Sequence, residues 1–156
     1  MQRVYLETSF ISYLTSRLSR NLIVAGHQQI TQDWWANRRS SFELYVSRIV
    51  IDEASVGDEQ AVQSRLAILR SLSVLQMTRE AVDLARNLTA AGVFPSSAAE
   101  DALHVAIATV HGMDFLLTWN CRHIANAEVT RAAREICVAE GFQMPIICTP
   151  EELLGG

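Results

Sequence analysis

The chain has 156 residues, 49% of them hydrophobic, and a net charge of -4. A chain of this length buries roughly 70% of its unfolded surface, enough for one core and short for two, so a single domain over residues 1–156 is expected. The acidic balance excludes nucleic-acid binding through a broad basic face, no apolar run reaches the roughly 18 to 20 residues that span a bilayer, and Cys121, Cys137 and Cys148 lack the spacing of a disulfide framework or a zinc ribbon.

In chain order, Arg3-Val4-Tyr5-Leu6 is β-branched and aromatic enough for a first strand. Glu7-Thr8-Ser9 then supplies capping chemistry before Phe10, Ile11 and Leu14 take up helical spacing. From Asn21 to Arg39 the positions Ile23, His27, Ile30 and Trp34 predict a helix, with Gly26 a weak point inside it. Phe42 to Val46 reads as a second strand. Ser47 caps a short helix carrying Val50, Ile51 and Glu53, and Gly57-Asp58 restarts the chain into the stripe Val62, Leu66, Leu69.

Leu72 to Met77 predicts a third strand, and Thr78 opens a helix that Gly92 ends. Ser97-Ala98-Ala99-Glu100 has capping-box spacing for a helix reaching Gly112. Asp114 to Trp119 is the short apolar block of a buried parallel strand, Val129 to Ala139 a further helix, and Met144 to Cys148 a last strand.

Strands alternating with helices throughout predict an α/β fold, a three-layer parallel β-sheet flanked by helices on both faces. Ligands of such sheets bind beyond the carboxyl ends of the strands, and Glu7, Glu53, Asp101 and Asn120 all fall there. Carboxylates gathered at one rim repel by about 4 kcal/mol per close pair at an effective dielectric near 20, so a cation is the simplest remedy. Hard oxygen donors without a His or Cys cluster favour Mg2+ or Mn2+ over Zn2+. Such an ion activates water against a phosphodiester, which lets an acidic protein act on nucleic acid.

The segments VYLETSFI, SRIVIDEASVGD, EDALHVAIA and LLTWNCRHIAN, in that order and closed by TPEEL at Thr149 to Leu153, resemble successive signature segments of PIN-domain proteins, in particular the VapC-type toxin ribonucleases. The resemblance spans nearly the whole chain. It implies a PIN-like fold and a homodimeric, Mg2+- or Mn2+-dependent endoribonuclease that cuts RNA and pairs with a cognate antitoxin, while the odd number of unpaired cysteines fits a reducing, cytoplasmic setting. It further implies that Glu7 stands where the first metal-binding Asp usually is, that Glu53 and Asp101 match the second and third acids, and that Ser9 matches the hydroxyl supporting the first. Asn120 occupies the place of a fourth acid.

Plainer readings stand beside these. Acids in first turns are favoured by the helix dipole alone. His104 would touch substrate or orient a carboxylate, although a lone histidine on a buried helix is expected in the core. Trp34 and Trp35 with Arg38-Arg39 have the composition of a single-strand binder, yet packing is their expected role, as it is for Trp119. Arg122 and His123 are candidate phosphate contacts, and Cys121 is expected to be a small buried residue without nucleophilic partners.

Two rival functions stay open. With Glu7 and Asn120 off the family pattern, a catalytically weakened PIN domain would only bind RNA or protein. A small-molecule phosphohydrolase would carry a strand-end DxD motif, which Glu7-Thr8-Ser9 does not supply, and the absence of GxxxxGK[ST] and GxGxxG excludes nucleotide switches.

Overall fold

The computed structural model describes all residues 1–156. Five strands, β1 (Gln2–Leu6), β2 (Phe42–Ser47), β3 (Ser73–Leu75), β4 (Phe115–Leu117) and β5 (Ile146–Cys148), form one parallel sheet in the order β3-β2-β1-β4-β5. Seven α-helices connect them: α1 (Thr8–Thr15), α2 (Leu22–Arg38), α3 (Arg48–Ala54), α4 (Glu59–Leu69), α5 (Arg79–Ala90), α6 (Ala99–Val110) and α7 (Ala127–Ala139). Helices α1 to α4 pack with one another, and α5, α6 and α7 pack among themselves. This is the three-layer arrangement that right-handed crossovers impose when the chain first winds from β1 out to β3 and then returns past β1 to β4 and β5.

All five expected strands occur, with β3, β4 and β5 trimmed. The run Leu72 to Met77 keeps only Ser73–Leu75 as strand, because Leu72 is still closing the turn after α4 through its N–H to the Leu69 carbonyl. Helix α2 runs unbroken through Gly26, helped by Asn21, whose side chain accepts from the N–H groups of Ile23 and Val24. Thr78 caps α5 by accepting from Ala81 N–H, as its sequence position predicts.

Two capping expectations need correction. Ser47 holds the position before α3, but its hydroxyl leaves the helix for the phenol of Tyr5 at 2.7 Å. The Ser97–Glu100 capping box does not form: a 3-10 turn over Ser96–Ala98 leads into α6, and the residue at its cap is Ala98. The Ala98 N–H already bonds to the Pro95 carbonyl within that turn, so the chain enters the helix one residue later than the box requires.

The core is the sheet and its two helical layers. Val4, Tyr5 and Leu6 of β1 and Leu116 and Leu117 of β4 are fully buried, as are Phe10, Trp34, Leu84, Val105 and Ile107 from the helices. Trp34 packs edge-on to Phe10 and donates its indole N–H to the Leu153 carbonyl, tying the C-terminal TPEEL turn to α2. Trp35 lies under the Arg39 guanidinium, 4.9 Å from the ring centre. Packing is therefore the role of both tryptophans. No helix is long and apolar enough to cross a membrane.

Candidate active site at the strand ends

The strand order reverses direction between β1 and β4, and the crevice at such a switch point is where doubly wound sheets bind ligands. Glu7 leaves β1 there, with its N–H on the Leu117 carbonyl of β4 at 3.0 Å. Its carboxylate, only 6% exposed, caps α1: Oε2 accepts from Ser9 N–H at 2.8 Å and Oε1 from the Ser9 hydroxyl at 2.7 Å. The Thr118 hydroxyl donates to the same Oε1 at 2.5 Å, and Ser9 Oγ accepts from Trp119 N–H at 2.8 Å. Ser9 thus holds the Glu7 carboxylate through both its N–H and its hydroxyl.

Glu53 projects from the second turn of α3. Its Oε1 accepts from the Thr8 hydroxyl and pairs with His104 Nε2, each at 2.6 Å. His104 is 1% exposed on the apolar helix α6, and its Nδ1 meets the Tyr5 hydroxyl at 2.7 Å. Both ring nitrogens are therefore engaged inside the protein, and His104 sits in the core against the Glu53 carboxylate. Asp101, three residues earlier on α6, lies 3.2 Å from His123 Nδ1.

Asn120 follows β4, and its Oδ1 accepts from His123 N–H at 3.0 Å, so the amide pins the turn that brings His123 to Asp101. Arg122 in that turn is exposed and has no acidic partner. Cys121 corrects an expectation: it is exposed, because the turn projects it away from the rim, while Cys137 and Cys148 are the buried thiols. Partial desolvation, with the field of Glu152, pushes the Cys121 thiol up from its ordinary value.

The electrostatics show that the acids act on one another. Burial alone would lift the Glu53 carboxyl, but the hydrogen bond and charge of His104, with Thr8 and Glu100, bring it down to about 2. His104 is pulled the other way: burial opposes its charge, yet the bond to Glu53 and the fields of Glu7, Glu53 and Asp101 together raise it above the ordinary imidazole value. Glu100, beside Asp101, is raised by its proximity to Glu53. Burial, with the fields of Glu7 and Glu53, keeps the Tyr5 phenol protonated.

Glu53 and Glu100 also line a cleft of about 450 Å³ with Ile49, Asp52, Val56 and Leu103. A larger cleft of about 740 Å³, floored by Trp35 and Phe42, starts at the opposite end of β2 and is remote from these acids.

The three acids expected as metal ligands do not converge on one point, and no three His, Cys, Asp or Glu side chains are grouped closely enough to hold an ion. Each is satisfied by protein donors instead: Glu7 by Ser9 and Thr118, Glu53 by Thr8 and His104, Asp101 by His123. The donor chemistry nonetheless fits a hard divalent cation. The rim carries surplus negative charge, recorded in the upward displacement of both His104 and Glu100, and carboxylate oxygens are the donors such ions take.

Tyr5, Thr8, Glu100 and Thr118 were not singled out by sequence reasoning as site residues. The threonines sit inside the ETS and LTWN segments, so their motif context was the available signal. Tyr5, a phenol between Val4 and Leu6, gave only the hint of a buried polar group.

The sequence matches no protein-family model and no curated protein. Solved structures do match. A chain of the VapBC2 complex from Rickettsia felis, bound to a DNA fragment from its promoter, superposes with a TM-score of 0.61 at 15% identity, over 95% of this chain and 98% of that one. Mycobacterium tuberculosis VapC20, described as a sarcin-ricin loop cleaving toxin, superposes with a TM-score of 0.56 at 17% identity, over 91% of this chain and 99% of that one. With its five parallel strands and the acids at their carboxyl ends, the chain has the VapC-like PIN fold.

Proposed function

We propose that the protein is a metal-dependent endoribonuclease that hydrolyses RNA phosphodiester bonds at the β1/β4 crevice, as the toxin of a toxin-antitoxin pair. The observation that carries the reading is that Glu53 bonds the buried imidazole of His104 while Glu7 and Asp101, from two other elements, lie near enough to act on its charge. Acids drawn from three separate elements and crowded round one residue are a poor choice for stability alone. The description of VapC20 as an RNA-loop cleaving toxin supports the reaction class.

Glu53 and Asp101, with Glu100 beside them and Glu7 across the crevice, are the groups that would hold Mg2+ or Mn2+. When bound, the ion supplies a water of lowered pKa and neutralises charge on the scissile phosphate. The chain's own residues hold the frame: Thr8 and His104 fix Glu53, Ser9 and Thr118 fix Glu7, and Asn120 places His123 against Asp101. Arg122, exposed next to Asn120, is a phosphate contact for the RNA strand. A cognate antitoxin, supported by the VapBC2 complex, a homodimer and a cytoplasmic setting complete the proposal.

The test is cleavage of a mixed RNA pool by purified protein with Mn2+, Mg2+ or EDTA, beside Asp101→Ala and Glu7→Asp. Metal-dependent cutting that falls at least about a hundredfold in Asp101→Ala is expected, since a charged group at the reacting centre is worth several kcal/mol. Cutting that survives EDTA and Asp101→Ala alike would sink the proposal.

A second reading is favoured by one observation, the full engagement of the Glu7 carboxylate by Ser9 and Thr118. A first acid locked onto its own helix marks a weakened site that binds RNA or protein without turnover. Wild type that cuts nothing, with cutting gained in Glu7→Asp, would decide for it.

A further inference from the structure

We infer that Tyr5 and His104 are positioning residues for the cleavage site: buried beneath the rim, they hold the Glu53 carboxylate in one orientation and touch neither RNA nor water. The inference rests on the ribonuclease reading above and extends it to groups outside the acidic set.

The chain of contacts is continuous and short. Ser47 Oγ meets the Tyr5 hydroxyl at 2.7 Å, that hydroxyl meets His104 Nδ1 at 2.7 Å, and His104 Nε2 meets Glu53 Oε1 at 2.6 Å. An ionised carboxylate only accepts, so Nε2 carries the proton and the ring cannot flip without losing the bond. Thr8 donates to the same Oε1, so two donors from separate elements fix that oxygen.

The location points to function. Helix α6 is otherwise apolar here, with Ala102, Val105, Ala106, Ile107 and Ala108 all buried, and a leucine at position 104 and a phenylalanine at position 5 would fill the same space without polar groups to satisfy. Each buried polar group is a liability unless its partners are all present. Tyr5 is also on the central strand β1, paired on both sides, so the orientation of Glu53 is referenced to the most constrained element of the fold.

The experiment measures Mn2+ binding to the full chain by electron paramagnetic resonance, and steady-state RNA cleavage, for wild type, Tyr5→Phe, His104→Leu and His104→Gln, with folding checked by circular dichroism. Second-layer partners of metal-binding groups are typically worth about 10- to 100-fold in affinity or activity. Tyr5→Phe and His104→Leu are therefore expected to weaken Mn2+ binding by roughly that factor and lower kcat with little change in KM. His104→Gln, which keeps a donor near the Nε2 position, is expected to recover part of both. If His104→Leu fails to fold, Tyr5→Phe, which keeps the ring, decides alone. Folded variants that bind Mn2+ and cleave like wild type overturn the inference. Wild type that binds Mn2+ but cuts no RNA, with binding weakened in the variants, overturns the ribonuclease reading and leaves the positioning role standing; wild type that binds no Mn2+ overturns both.

Discussion

Glu53 and His104 are displaced in opposite directions by the same contact, and the two displacements define a pH window. Glu53, brought down to about 2, contributes stability that is present above the ordinary glutamate range and is lost as pH falls through the lowered value. His104, raised above its ordinary 6.5, contributes stability present below that value and lost as pH rises through the raised one. Glu100, itself raised, adds a small penalty as it ionises. Thermal melts across pH are expected to peak between roughly pH 5 and 6 and to decline through neutrality, with the decline flattened in His104→Gln. A melting temperature that climbs steadily to pH 8 would contradict the pairing. At this scale the acids were legible because they stand in strand-end motifs. Tyr5 and Thr118 were not, because their role exists only in bonds to residues 42 and 111 positions away.

Among the elements, α2 is the one whose sequence carries an avoidable weakness. Gly26 is exposed in mid-helix, and a Cβ there would meet nothing within 4 Å. Gly26→Ala is expected to stabilise the fold by roughly 0.5–1 kcal/mol, read as a shift in the urea midpoint at constant m-value. A neutral or destabilising result would mean that the glycine serves close approach of a partner. Periodicity located every helix and strand, since each buries a face that must repeat with the element's own period. It misjudged the entry to α6, where local turn geometry overrides the Ser97–Glu100 spacing, and the ends of β3, where strand propensity extends beyond the hydrogen-bonded partner.

For the molecule as a whole, the layer order and the crevice followed from the alternation of strands and helices, whereas the side-chain arrangement at the rim did not. Like charges were expected to lie together round an ion. Instead, each acid is held by protein donors, because a carboxylate even partly withdrawn from water takes the nearest N–H or O–H. The N–H of Glu7 and its carboxylate are both held by the segment Leu117–Thr118, so the first acid is seated only when β4 has closed on β1. A polypeptide leaves the ribosome from its N-terminus, and this one must be synthesised past Thr118 before its proposed cutting edge exists. A fragment ending at Gly112 is expected to show no ordered sheet by circular dichroism and no cleavage; a folded, active fragment would refute this. Late closure would keep the proposed ribonuclease inert beside the very RNA from which it is being translated.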